Sequence, residues 1–213
     1  MKKLAFFILL SLVTLGVSAQ SNLKWNVNAG IGMSNWYGDD TDGTDAKFAY
    51  KVGIGLEVPF ANTNIWSFQT GLNFISKGVK GDGVTDAWDV VDVTINQLYL
   101  ELPINVQFRF NIANNTNLVV ATGPYLACGV GGKAKFDGEA SIGNVGINAD
   151  EKIDTFGDDG LGYNRFDAGW NIGLGVEFGQ ILVGLDTQLG FCKIMDGNAP
   201  HNANIGITVG YKF

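Results

Sequence analysis

The chain has 213 residues and a formal net charge of −7, with 14 Lys+Arg against 21 Asp+Glu. That balance argues against nucleic acid as a partner, because phosphate binding needs basic patches, and against attraction to anionic lipid through overall charge. Its 30 glycines against 4 prolines point to close backbone approach, tight curvature or a crowded interior, since glycine is costly in an ordinary strand.

Lys2 and Lys3 precede an apolar run from Leu4 to Val17, which ends in Val17, Ser18 and Ala19. This is the layout of a cleaved secretory signal peptide over residues 1–19, leaving 20–213 as one domain. No later apolar run is long enough for a spanning helix.

From Leu23 to Met33 the residues alternate. Leu23, Trp25, Val27, Ala29, Ile31 and Met33 are apolar, with Lys24, Asn26, Asn28, Gly30 and Gly32 between them. A period of two with no competing period of 3.6 reads as a β-strand. Asn35 to Lys47 follows as an aspartate- and glycine-rich loop. The second strand sets Phe48, Tyr50, Val52, Ile54, Leu56, Val58 and Phe60 against Lys51, Gly53, Gly55 and Glu57. After a short turn from Ala61 to Asn64, the third sets Trp66, Phe68, Thr70, Leu72 and Phe74 against Ser67, Gln69, Gly71 and Asn73. Lys77 to Asp92 reads as a long loop.

The fourth strand alternates Leu98, Leu100, Leu102, Ile104, Val106, Phe108 and Phe110 with Tyr99, Glu101, Pro103, Asn105, Gln107 and Arg109. Pro103 cannot donate to a ladder, so a bulge or a break in pairing is expected there. Asn111 to Asn117 is a short turn, and Leu118 to Val130 is a fifth strand with the weakest alternation. Gly132 to Asn164 reads as the longest loop, acidic and glycine-rich, with Ala140 to Ile147 placed to extend the neighbouring strands. Arg165 to Phe178, the tight turn Gly179-Gln180, Ile181 to Phe191, a fourth loop from Lys193 to Asn202, and Asn204 to Phe213 complete the series.

Long and short connections therefore alternate between eight strands of about ten residues, the span of a tilted transmembrane strand. The expected fold is all-β: an eight-stranded antiparallel up-and-down transmembrane β-barrel with short periplasmic turns and long outer loops. Aromatics support the depth. Trp25, Phe60, Trp66, Phe110, Phe178 and Phe213 gather at the short turns, and Phe48, Tyr50, Phe74, Phe166, Trp170 and Phe191 toward the long loops, as two interfacial girdles would.

Charges fix which face meets lipid. Lys24, Lys51, Glu57, Glu101, Arg109, Arg165, Asp167, Glu177, Asp186 and Lys212 lie in these alternating stretches, and none takes an apolar slot. With the apolar series in lipid they fall in the lumen, as five acids and five bases. An eight-stranded interior is just wide enough for side chains to fill, and unpaired charge is penalised there. A paired network that plugs the barrel is expected, with the excess of acid in the loops.

No catalytic, metal or cofactor site is expected. Gly30-Ile31-Gly32, Gly53-Ile54-Gly55 and Gly173-Leu174-Gly175 lack the following helix that a dinucleotide loop needs. Asp40, Asp42 and Asp45, and the acids Asp150, Glu151, Asp154, Asp158 and Asp159, depart from EF-hand spacing and read as solvated loops. His201 is the single histidine and sits in the fourth loop. Cys128 and Cys192 fall on non-neighbouring strands with opposite parity, which disfavours a disulfide.

Leu98-Tyr99-Leu100-Glu101-Leu102-Pro103-Ile104, running on to Phe110, resembles the central strand of the PorT-like outer-membrane β-barrel family. Gly123-Pro124-Tyr125, Gly173-Leu174-Gly175-Val176-Glu177-Phe178-Gly179 and the closing Gly210-Tyr211-Lys212-Phe213 resemble its later strands. The resemblance implies a cell outer-membrane location, outer-membrane lipid as surroundings, and the barrel assembly machinery as a partner during insertion, through the terminal Tyr-Lys-Phe. It also implies, from the name-giving member, an accessory part in protein secretion across the outer membrane. The residues themselves point to a small integral outer-membrane protein with a structural or interaction role, whose acidic outer loops would meet a protein partner. A narrow channel or small-ligand transport barrel is the alternative.

Overall fold

The computed structural model describes residues 23–39, 41, 43–60, 65–84, 90–142, 145–157, 160–197 and 199–213. The leader expected over residues 1–19 lies outside them. Ten strands make one sheet: β1 (Lys24–Tyr37), β2 (Thr44–Asp45), β3 (Lys47–Pro59), β4 (Trp66–Val84), β5 (Val90–Ala113), β6 (Thr116–Ile142), β7 (Val145–Asp154), β8 (Phe166–Phe178), β9 (Ile181–Lys193) and β10 (His201–Lys212). Eight of them close on themselves. β1 pairs with β3 and β10, and the ring runs on through β4, β5, β6, β8 and β9, every pair antiparallel. β2 and β7 stand outside the ring, paired to β4 and β6.

The apolar series faces out of the ring and the polar series faces in. Ile31, Leu185 and Phe191 are 62%, 55% and 62% exposed, whereas Glu57 and Glu101 are 1% and 0%. An all-round exposed apolar surface of this kind has no place in water. A closed barrel also leaves no unpaired strand edge, as a lipid environment requires.

Three strands are longer than the alternation suggested. β4 and β5 stay in register from Ile75↔Tyr99 to Val84↔Val90, so Lys77 to Val84 and Val90 to Asp92, read as parts of a loop, are the paired strands of a long hairpin. β6 likewise runs to Ile142 and carries β7 through Lys133↔Asp154 to Ile142↔Val145, in place of most of the loop read over Gly132 to Asn164. The physical reason is an inversion of polarity. Lys80, Lys133 and Lys135 point out into solvent while Val79, Ile95 and Ala134 are buried in a core at this end, the reverse of the lipid-facing stretch. Between β5 and β6 the turn is only Asn114 and Asn115, the latter at φ 56°, tighter than the expected Asn111 to Asn117.

Pro103 behaves as its missing N–H requires. The β4–β5 register lapses between Thr70↔Ile104 and Asn73↔Glu101, and Thr70 Oγ1 donates to the Pro103 carbonyl at 2.8 Å instead. Glycine is used where inner faces touch. Gly32 lies opposite Gly206, and a Cβ on Gly32 would stand 2.1 Å from the Ile205 carbonyl oxygen. Curvature therefore needs a bare backbone there.

Candidate functional site in the lumen

The interior is organised in tiers. Nearest the short turns, Arg109 on β5 reaches across to Glu57 on β3 with a two-pronged bond, Nη1 to Oε1 at 2.8 Å and Nη2 to Oε2 at 3.0 Å. Its Nε donates to Glu177 on β8 at 3.2 Å. Lys212 on β10 is 3.0 Å from Glu57 and also bonds Glu177. Gln107 accepts from Arg109 and Ser67, and Asn117 donates to Glu177. Two cations and two carboxylates from four strands thus cancel in one bonded cluster. Planar guanidinium geometry suits such forked pairing.

A single pair follows. Lys51 on β3 donates to Asp186 on β9 at 2.7 Å, and Thr208 donates to the other Asp186 oxygen.

The third tier lies toward the long hairpins and centres on Lys77, which is fully buried. Its Nζ is 2.9 Å from Asp167 and 3.7 Å from Glu101, and sits 4.0 Å from the centre of the Tyr125 ring. Tyr125 and Asn202 both donate to Asp167 Oδ2. Asn73 and Gln188 both donate to Glu101 Oε1, at 3.3 and 2.9 Å. Between this tier and the first lies a cavity of about 130 Å³, lined by amide side chains, bare glycine backbone and aliphatic side chains, with Lys51, Asp186 and Lys212 at its border.

Above Lys77 the mouth is closed by an apolar cap. Residues 155–157 and 160–164 fold inward, held by Tyr163 N to the Thr155 carbonyl and Asn164 N to the Ile194 carbonyl. Phe156 packs edge-on to Tyr99, ring centres 5.5 Å apart, and Trp36 edge-on to Tyr163 at 6.0 Å. Burial pushes the Tyr163 phenol up to about 12.

Of the residues expected in the network, Lys51, Glu57, Glu101, Arg109, Asp167, Glu177, Asp186 and Lys212 are brought together in these tiers. Lys24 and Arg165 are not. Lys24 is half-buried at the end of β1 and makes no ion pair among the described residues. Arg165 is exposed just before β8, bonded to the Gly129 carbonyl at 3.0 Å and lying over the Phe156 ring. Lys77 was missed, because Lys77-Gly78-Val79-Lys80-Gly81 has the composition of a loop. Its signal was parity, since Lys77 continues the inward series of Gly71, Asn73 and Ile75. Lys47 is also buried, but its Nζ bonds the Ser76 hydroxyl and the Phe48 carbonyl.

His201 begins β10, its ring 5.5 Å from that of Tyr37. Among the described residues no three His, Cys, Asp or Glu side chains converge as a metal site. The first acidic loop lies partly outside the described residues.

The family model of the outer membrane protein beta-barrel domain matches residues 13–196, and the chain belongs to that family. It is a small outer-membrane β-barrel protein, and its apolar belt faces the lipid of that membrane. No curated protein matches the chain. Similar solved structures include the attachment invasion locus protein Ail of Yersinia pestis, with 15% identity over 91% of this chain and 100% of that one, TM-score 0.41. Neisserial surface protein A has 10% identity over 91% and 100%, TM-score 0.44. OprG of Pseudomonas aeruginosa has 12% identity over 89% and 95%, TM-score 0.43. None of the three bears on what this chain does.

Proposed function

We propose that this outer-membrane barrel is a closed scaffold, without bulk flow through its lumen, that presents the β4–β5 and β6–β7 hairpins outside the cell to a protein partner. The observation that carries it is the tiering. Charge clusters from strands on opposite sides of the ring block the lumen at two levels, and the Phe156 cap lies over the second. Ion pairs of this kind are costly to break once desolvated, so the plug is part of the resting fold. Hairpins that continue well past the lipid-facing belt give the scaffold a rigid surface to offer.

Planar-bilayer recording tests the closed lumen. No step above background is expected from the wild type, and steady conductance of nanosiemens size would replace this reading with a channel. The glycine-rich lumen with its cavity of about 130 Å³ favours transport, and a liposome-swelling assay with small solutes addresses it. The PorT-like resemblance supports an accessory part in secretion. Recovery of the barrel under mild extraction with no secretion component bound would count against that part alone.

A further inference from the structure

The lumen is neutral, its cations Lys47, Lys51, Lys77, Arg109 and Lys212 equalling its five carboxylates. The charge outside the barrel is sorted by height. On the side of the ring built by β6, β7, β8 and β9, Lys133, Lys135, Lys152, Arg165 and Lys193 are all exposed, at or just above the outer edge of the lipid-facing belt. Val130 is exposed at the outer end of that belt on β6. Lys133 and Lys135 lie three and five residues beyond it, roughly 8 and 13 Å higher on a strand tilted by about 40°. Lys152 stands directly opposite Lys135 on β7. Lys193 follows Phe191 in the outward series of β9, and Arg165 comes immediately before Phe166, the first lipid-facing residue of β8. Farther out, the register sets Asp82, Asp92, Asp137 and Asp150 side by side on β4 to β7. Positive charge thus lies next to the lipid and negative charge beyond it, a separation that the overall charge conceals.

The five cations lack counter-charges. Among the described residues none of them makes an ion pair. Lys135 facing Lys152 is a like-charged cross-strand pair, which is unfavourable by itself. The acids at this height on this side, among the described residues, are Asp154, opposite Lys133, and Asp196, two against five. Arg165 and Lys193 are held in place by neutral groups. Arg165 Nη1 donates to the Gly129 carbonyl at 3.0 Å, with its guanidinium over the Phe156 ring, and Lys193 Nζ donates to the Gly197 carbonyl at 2.8 Å. Between them opens a shallow cleft of about 530 Å³, bordered by Phe166 and Met195. Arg165 keeps its other N–H groups for an oxyanion, the partner its planar fork suits best. Just below, Phe166 and Phe191 are 58% and 62% exposed toward the lipid. A cationic cleft that opens onto an apolar wall fits a molecule with an anionic head and hydrocarbon tails.

We infer that this face holds the phosphate headgroup of an anionic lipid of the outer leaflet. Arg165 and Lys193 clamp the phosphate in the cleft. Lys133, Lys135 and Lys152 add attraction from the wall above, and the acyl chains lie on Phe166 and Phe191. The site is independent of whether the lumen conducts, and it leaves the tips of the outer hairpins free for a protein partner.

The full-length barrel in detergent micelles is titrated with diphosphoryl lipid A or its dephosphorylated form, and bound lipid is counted by native mass spectrometry. Diphosphoryl lipid A should be retained, with the dephosphorylated form weaker by at least about tenfold, and millimolar inorganic phosphate or polyglutamate should not displace it. Arg165→Gln and Lys193→Gln should each weaken binding by about fivefold, as expected of one cation beside an anionic surface, and the double variant should be weaker than either. Lys80→Gln, across the outer sheet and opposite Asp45, should bind like the wild type. Equal retention of the two lipids would overturn the site, by showing that the contact is apolar only. Displacement by phosphate or polyglutamate would overturn it as well, by showing a site for soluble anions. So would wild-type affinity in the double variant. Should Arg165→Gln loosen the cap through Phe156, Lys193→Gln, which touches no cap residue among its hydrogen bonds, still decides.

Discussion

Replacing Arg109 with methionine should be strongly damaging although it leaves the volume of the lumen nearly intact. Arg109 is 7% exposed, and Glu57 and Glu177 are 1% and 7%. With the guanidinium gone, two bonds to Glu57 and one to Glu177 are lost, and Lys212 is left to neutralise two buried carboxylates. Removing one partner of a buried ion pair costs about 3–5 kcal/mol, mostly because the survivor stays desolvated and uncompensated. The decisive arm is the double variant Arg109→Met/Glu57→Gln. It leaves Lys212 against Glu177, one charge of each sign, so it should be more stable than Arg109→Met alone, with a coupling energy of about 2–3 kcal/mol. Urea unfolding of the barrel refolded into vesicles, read by tryptophan fluorescence, gives all four corners of the cycle. A single variant within about 0.5 kcal/mol of wild type, the range of ordinary surface changes, would refute the reasoning. So would a double variant whose loss equals the sum of the singles.

Three further outcomes follow from the same geometry. Leu185 is 55% exposed midway along β9, so Leu185→Arg puts a charge near the lipid midplane and should cost about 2–4 kcal/mol in vesicle unfolding; a neutral result would mean this face does not meet lipid. Gly32→Val places methyl groups into the Ile205 carbonyl and Gly206 and should cost about 1–3 kcal/mol by overpacking, seen as a lower fraction reaching the heat-modifiable folded form. Phe156→Ala removes the ring that packs on Tyr99 and Gly129. It should loosen the cap and speed protease cleavage within residues 155–164 at least several-fold, while the barrel itself stays resistant; unchanged cleavage would show that Phe156 does not hold the cap down.

The sequence carried the ring of eight strands because the lipid-facing belt makes alternation explicit. Once the outward series of β4 is seen as Phe68, Thr70, Leu72 and Phe74, the inward series follows, and eight of the ten charges placed in the lumen are there. Lys24 and Arg165 share the inward parity but sit at strand ends, where parity no longer dictates depth. Arg165 precedes β8, and its long side chain is drawn to the Gly129 carbonyl and Phe156 ring rather than into the lumen. Which charges pair was not legible, since Arg109, Glu57 and Glu177 are dozens of residues apart and meet only by closure. The cap was hidden for another reason. Phe156, Tyr163 and Ile194 are isolated apolar residues in glycine- and aspartate-rich stretches, and only the folded mouth gives them neighbours.

The inversion of polarity also locates the outer boundary of the membrane. On β5 the apolar slots are the even residues from Phe110 back to Leu98 and the odd ones at Ile95 and Val93. On β4 the change falls between outward Phe74 and buried Val79, and on β6 between exposed Val130 and buried Ala134. These positions share one level of the sheet, since Ser76 pairs with Leu98 and Leu98 with Gly131. An outward apolar series serves only while lipid is outside, and an inward one only where the strands enclose a water-free core. Three neighbouring strands that switch at the same register therefore mark where lipid gives way to water. The β5–β6 register shift at Leu98/Tyr99 lies at that level, as expected of a bulge that adds twist where the barrel wall passes into the outer hairpins. The outer hairpins are thus the same sheet carried past the lipid, with its apolar face turned inward onto the core that closes the mouth of the barrel.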